Sequence, residues 1–383
     1  MNFKLISRAA FFFLTLIFTV AAPVAAQSKE AKLLNQTEED FILKNYKFRN
    51  GETIAELRLH YSTLGTPVRD ADGNITNAVL FLHWTGGSGA DLLAPAFREE
   101  LFGAGQALDL KRYFVIVPDN IGHGRSSKSS DGLRAKFPRY GFGDMVDLQH
   151  KLVTEKLGIP RLHLILGLSI GGMHAWMWGE QHPDAMDALM PVVALPAPVS
   201  GRNLLWRRII TQSIRNDPSW KNGDYIEQPR GWTAMFPLML MMAEGVTQLQ
   251  TTIETPAQAE TFVQKAANIA ASNKDANDIL YSLESSADYN PQHLERIKAK
   301  LFALNFADDE FNPVELNVLP EAVKRVKNGN FLIVPASPNT HGHASQMHPQ
   351  LWSAKVAEFL ARLAKLEVTS HTRTLPNSFG KRY

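Results

Sequence analysis

Leu162-His163-Leu164-Ile165-Leu166-Gly167-Leu168-Ser169-Ile170-Gly171-Gly172-Met173-His174-Ala175-Trp176 passes from an apolar run into a helix-compatible one, with a serine at the joint. A near-continuous apolar run of this length reads as a strand covered on both faces, as in a parallel sheet. A sharp strand-to-helix turn strains the serine backbone and demands small residues two before and two after it, and Gly167 and Gly171 stand there. Such an elbow exposes the hydroxyl above the sheet at a helix N-terminus, where the Ile170 N–H and the helix dipole can stabilise an oxyanion. Ser169 is therefore the candidate nucleophile. A merely structural turn serine is the plainer reading, and the strand-to-helix context argues against it.

Outward from this joint the same alternation recurs. Apolar runs at Ala78 to His83, Tyr113 to Pro118 and Ala188 to Leu195 flank it, with helix-length stretches such as Phe142 to Leu157 and Gly171 to His182 between them. Upstream, Phe41 to Phe48 and Glu56 to Tyr61 read as a hairpin around Asn50-Gly51. From Pro196 to about Pro291 the strand signal stops, and a helix-like segment rich in Trp and Met follows. Its Met and Trp residues suit internal packing first and pocket lining second. Alternation resumes at Lys300 to Phe306, Val323 to Lys327, Phe331 to Ala336 and Leu351 to Leu363. The expected fold class is α/β: a mostly parallel central sheet with helices on both faces and an inserted helical cap. The expected division is 1–26 leader, 27–195 first part of the core, 196–297 cap, 298–368 second part of the core, and 369–383 a polar tail.

A serine is a poor nucleophile at neutral pH without a histidine base, and that base needs an acid to orient it. In elbows of this kind the chain order is Ser, acid, His. Ala307-Asp308-Asp309-Glu310 follows the Lys300 to Phe306 strand, and Asp308 is favoured over Asp309 because it lies nearer the strand end. Asn339-Thr340-His341-Gly342-His343 follows the next strand, and His343 is favoured over His341 as the base. The second oxyanion donor belongs in Trp84-Thr85-Gly86-Gly87-Ser88-Gly89, with the Thr85 N–H preferred and Trp84 the alternative. His83 and His123 read as structural. The remaining histidines show no metal-ligand spacing, so no metal and no cofactor are expected.

Composition narrows the class. The 383 residues are 45% hydrophobic and 20% charged, ordinary for a globular enzyme. Lys4 and Arg8, the apolar run Ala9 to Ala22 and the small-residue site Val24-Ala25-Ala26 read as a secretory signal peptide cleaved after Ala26, which places the mature chain in the periplasm or outside the cell. Without that leader the chain holds 38 basic and 38 acidic residues, so nucleic acid is not an expected partner, nor is stable membrane association. There is no cysteine, which excludes disulfides and thiol chemistry.

With these stretches in place the chain resembles the homoserine O-acetyltransferase branch of the α/β-hydrolase superfamily. The resemblance rests on Tyr113-Phe114-Val115-Ile116, Phe137-Pro138, Asp144-Met145-Val146, Leu157-Gly158-Ile159, Gly171-Gly172-Met173 and Asp217-Pro218-Ser219-Trp220. It implies an α/β-hydrolase fold and sets the acid at Asp308 and the base at Gly342-His343. It also implies an arginine for a substrate carboxylate before Gln212-Ser213-Ile214, where this chain has Thr211. Arg207, Arg208 and Arg215 lie nearby and could substitute for it, but read first as helix-surface residues. Export and Thr211 together favour water as acyl acceptor, giving an exported serine hydrolase acting on an ester, lactone or amide of a small-molecule acyl substrate. The alternatives are an O-acyltransferase of the homoserine O-acetyltransferase type and a non-catalytic binding protein on the same fold. The resemblance and the apolar cap are compatible with a homodimer through the cap.

Overall fold

In a computed structural model, residues 33–373 are described. The expected signal peptide and its cleavage site after Ala26 lie outside these residues. An eight-stranded sheet has the order β1-β2-β4-β3-β5-β6-β7-β8. Strands β1 (Thr37–Lys47) and β2 (Thr53–Leu64) form the antiparallel hairpin, and Gly51 takes φ 93° in its turn. The alternation read in β2 has its physical counterpart, since Leu57, Leu59 and Tyr61 are buried on one face. After β2 pairs antiparallel with β4, every remaining pairing is parallel.

The parallel strands are β3 (Ala78–Leu82), β4 (Phe114–Pro118), β5 (Leu162–Leu168), β6 (Met186–Val192), β7 (Lys300–Phe306) and β8 (Gly329–Val334). Short helices α1 (Gly89–Leu92) and α2 (Pro95–Leu101) follow β3, while α3 (Phe142–Lys151) and α4 (Ile170–Gln181) flank β5. Each face of the sheet has its own apolar cluster, one including Trp176 and Trp178 from α4 and the other Phe97 from α2 and Trp352. This explains the unbroken apolar strands: both sides of β3, β4 and β5 are covered.

Between β6 and β7 lie α5 (Gly201–Arg215), α6 (Arg230–Thr233), α7 (Phe236–Ala243), α8 (Val246–Thr252), α9 (Pro256–Asn273) and α10 (Ala276–Glu284). Trp206, Ile210, Trp220, Trp232 and Phe236 form a third cluster there, so this stretch carries its own core. Two readings need correction. Val323 to Lys327 is the end of a helix, α11 (Val318–Val323), and a turn. Part of the expected polar tail, Thr369 to Arg373, belongs to α12 (Ser353–Arg373).

The topology has one consequence for the site. Strands β3 to β8 run in the same direction, so the loops after β3, β5, β7 and β8 emerge at the same edge of the sheet. Those are the loops that carry Thr85, Ser169, Asp309 and His343.

Candidate active site

Ser169 sits between β5 and α4 with φ 52° and ψ −112°, a conformation that L-residues rarely adopt. Its neighbours explain how the strain is imposed. A Cβ at Gly167 would lie 2.1 Å from the Gly171 carbonyl oxygen, and one at Gly171 would lie 2.4 Å from the Leu82 carbonyl oxygen. Both obstacles are backbone and cannot rotate away. Gly171→Ala is expected to destabilise the fold by about 3 kcal/mol through overpacking, read as a lower urea midpoint with an unchanged m-value.

Ser169 Oγ lies 2.8 Å from His343 Nε2, and His343 Nδ1 lies 2.8 Å from Asp309 Oδ2. Ser169 and His343 are each only 9% exposed, and Asp309 is 1% exposed. The acid in this relay is Asp309, which corrects the preference for Asp308. The chain turns after β7, with the Asp309 N–H donating to the Phe306 carbonyl, and this turn brings the third residue past the strand, rather than the second, back to the histidine. Asp308 takes another task. Its Oδ2 accepts from the Thr340 hydroxyl and the Gly342 N–H, holding the loop that carries His343.

Asp309 is surrounded by donors. Oδ1 accepts from the Phe311 and Asn312 N–H groups, while Oδ2 accepts from Asn312 Nδ2 as well as from His343. Asn312 Nδ2 also reaches the carbonyl of Val193, which is held at φ 48°. Such a conformation is costly for a β-branched residue, so the end of β6 stores strain beside the site. Phe311 meets the His343 ring edge-on at 4.7 Å. Sequence reasoning passed over Asn312, although Asp309-x-x-Asn312 is the kind of polar turn that anchors a buried carboxylate.

His341, the alternative base, makes no hydrogen bond to Ser169 among the described residues. Its Nδ1 is 3.0 Å from Glu244 Oε1, at the end of α7, and its ring stacks on His348 at 3.9 Å. The N–H groups of Thr85 and Ile170 have no acceptor among the described residues, as an oxyanion site requires. At the residue after Thr85, the Lys274 ammonium donates to the Gly86 carbonyl at 2.6 Å.

A cavity of about 220 Å³ opens onto Ser169, His343 and Thr85. Its wall is largely apolar, from Trp206, Phe236, Met239, Leu240, Phe311 and Met347. One charged residue stands out. Arg207 lines the cavity yet is 7% exposed, with Nε donating to Asn203 Oδ1 at 2.9 Å and no carboxylate partner among the described residues. Burial pushes its guanidinium down to about 10, so the charge persists at neutral pH. The surface reading fits Arg208, which is exposed, but not Arg207. Arg215 is paired with Glu284. Thr211 is buried, with its hydroxyl on the Arg208 carbonyl, and does not line the cavity.

Taken as chemistry, a strained serine, a hydrogen-bonded histidine, a buried carboxylate and two free amides can carry acyl transfer through a covalent intermediate. A family model described as the alpha/beta hydrolase fold matches residues 77–337. A probable acyltransferase of Methanothermobacter thermautotrophicus is 28% identical over 284 residues, covering 74% of this chain and 86% of that protein. The match to the homoserine O-acetyltransferase of Methanobrevibacter ruminantium, also 28% identical, covers 73% of this chain and 64% of that protein. Among solved structures, homoserine O-acetyltransferase from Bacillus anthracis superposes with a TM-score of 0.74 at 24% identity, covering 86% of this chain and 98% of that one. Esterase E22 superposes at 0.72 with 19% identity, covering 85% and 100%. At these identities the two superpositions speak for the fold.

Proposed function

From the premise that the chain belongs to the α/β-hydrolase fold family, we propose that it is an O-acyltransferase of the homoserine O-acetyltransferase type. Ser169 takes an acyl group from a thioester or ester donor and passes it to the hydroxyl of a small acceptor that bears a carboxylate. His343 removes the Ser169 proton as Oγ attacks the carbonyl carbon, and the Thr85 and Ile170 amides hold the oxyanion. The donor's C–S or C–O bond then breaks, and the leaving group departs with the proton from His343. In the second half the acceptor hydroxyl gives its proton to His343 and attacks the acyl-enzyme, and Ser169 recovers its proton as the new ester is released. Asp309 keeps Nδ1 protonated throughout.

The observation that carries the acceptor class is Arg207. A buried guanidinium without a carboxylate is costly, by several kcal/mol in order of magnitude, and an acceptor carboxylate supplies the missing charge in a bidentate geometry that guanidinium suits. The sequence likeness to acyltransferases supports the same reading. Wild type incubated with acetyl-CoA is expected to release free CoA faster when L-homoserine or another hydroxy acid is added, with the O-acetyl product seen by mass spectrometry. Arg207→Met is expected to raise the acceptor KM about 10-fold or more while changing the donor KM little, in line with the loss of a charged hydrogen bond. Acceptor-independent release, with only acetate as product, would contradict transfer.

That outcome is the second reading, ester hydrolysis. The leader that reads as a signal peptide favours it, because acyl-CoA is a cytoplasmic donor and water is the acceptor available to an exported enzyme.

A further inference from the structure

We propose that His83 is a positioning residue of the oxyanion site, holding and polarising the Trp84–Thr85 peptide whose N–H meets the developing oxyanion. The proposal rests on the reading of Ser169 as an acyl-transferring nucleophile. His83 follows β3 directly and is 0% exposed. Its Nε2 lies 3.0 Å from the Asn120 backbone N–H, a group that can only donate, so Nε2 holds a lone pair. Burial pushes the imidazole down to about 4, which keeps it neutral at working pH. A neutral ring with an accepting Nε2 carries its proton on Nδ1, and Nδ1 lies 2.9 Å from the Trp84 carbonyl oxygen. Direction and tautomer follow from these contacts together.

The Trp84 carbonyl and the Thr85 N–H are two ends of one peptide unit. Drawing density toward the oxygen strengthens the N–H dipole at the other end, because linked hydrogen bonds polarise one another. The same carbonyl accepts from the Gly87 N–H at 3.0 Å, which closes the glycine turn against it. Thr85 lines the cavity beside Ser169, and its N–H has no acceptor among the described residues. Behind His83 the ring of His123 lies at 5.1 Å, itself hydrogen-bonded to Ser282 on α10. Burial pushes His123 down to about 3, so both rings of this pair are neutral at working pH. The Trp84–Thr85 peptide is thus held at its oxygen by two neutral donors, the His83 ring and the Gly87 N–H.

The test compares wild type with His83→Leu and His83→Asn in the full chain. Leucine fills the space without a donor, whereas the asparagine amide can place an N–H near the position of Nδ1. His83→Leu is expected to lower the acylation rate with p-nitrophenyl acetate about 10- to 100-fold, less than the loss of a whole oxyanion donor. Its affinity for a trifluoromethyl ketone, which mimics the tetrahedral state, falls by a similar factor while KM stays within about 2-fold. His83→Asn recovers most of both. End-point labelling of Ser169 by a fluorophosphonate, together with circular dichroism, counts the folded enzyme in each sample. Wild-type rates and ketone affinity in His83→Leu would overturn the proposal, as would equal losses in the leucine and asparagine variants. If wild type itself takes no fluorophosphonate label, the reading of Ser169 fails first and this proposal falls with it.

Discussion

Ser169→Ala is expected to abolish acyl chemistry, lowering turnover of p-nitrophenyl acetate by about 10⁶-fold, the scale at which loss of a serine nucleophile removes the whole covalent route. The expectation is sharp because the cavity holds two other hydroxyl groups, on Thr85 and Ser200. Neither is hydrogen-bonded to a histidine among the described residues, whereas Ser169 Oγ is 2.8 Å from His343 Nε2. Neither sits at an elbow, and α5 begins after Ser200 as an ordinary extended N-cap with φ −143°. The variant should keep the fold, since alanine removes one oxygen and no methyl group. Fluorophosphonate labelling followed by peptide mass spectrometry reads the result. Label retained on Ser200 or Thr85 in the variant would move the nucleophile.

Asp309→Asn should cost about 10⁴-fold in turnover, the penalty of a histidine held in the wrong tautomer. The reason lies in the four contacts around the carboxylate, all of them donors. An amide must turn its NH2 toward one side. Aimed at the backbone N–H groups of Phe311 and Asn312, it breaks the turn. Aimed at His343, it demands that Nδ1 accept, which moves the ring proton to Nε2 and leaves Ser169 without a base. Asp308→Asn offers the contrast. Among the described residues its Oδ2 receives only the Thr340 hydroxyl and the Gly342 N–H, so the loop loosens and turnover falls about 10-fold or less, with about 1 kcal/mol of stability lost. A ratio of the two kcat values near unity would remove Asp309 from the relay.

The cap separates two roles that its composition left mixed. Trp220 and Trp232 pack inside it, their indole N–H groups satisfied by Asn277 Oδ1 and the Lys274 carbonyl. Met239, Leu240 and Trp206 instead face the cavity. Arg207 follows directly after Trp206 on α5 and faces the cavity with it. A helix turns by 100° per residue, so 207 and 208 point to different environments although they are adjacent and chemically identical. No pattern of residue types distinguishes a surface arginine from one that points into a cavity between domains of structure folded from distant parts of the chain.

Features that depend on short-range sterics and periodicity are legible along the chain before it folds. The elbow at Ser169 needs only Gly167 and Gly171 and the strand and helix beside them. Parallel strands follow from unbroken apolar runs, and the order of serine, acid and histidine follows from which loops leave the same sheet edge. His343 could be preferred over His341 on order and resemblance. Tertiary structure alone decided which of Asp308 and Asp309 meets His343, which arginine of α5 enters the cavity, and which peptide His83 holds. In each case the deciding quantity is the direction of a side chain after a turn or along a helix. That direction is set by partners far away in the chain, such as Asn120 for His83 and Val193, through Asn312, for Asp309. Local rules limit the residues that can do the chemistry, and long-range packing selects among neighbours of the same type.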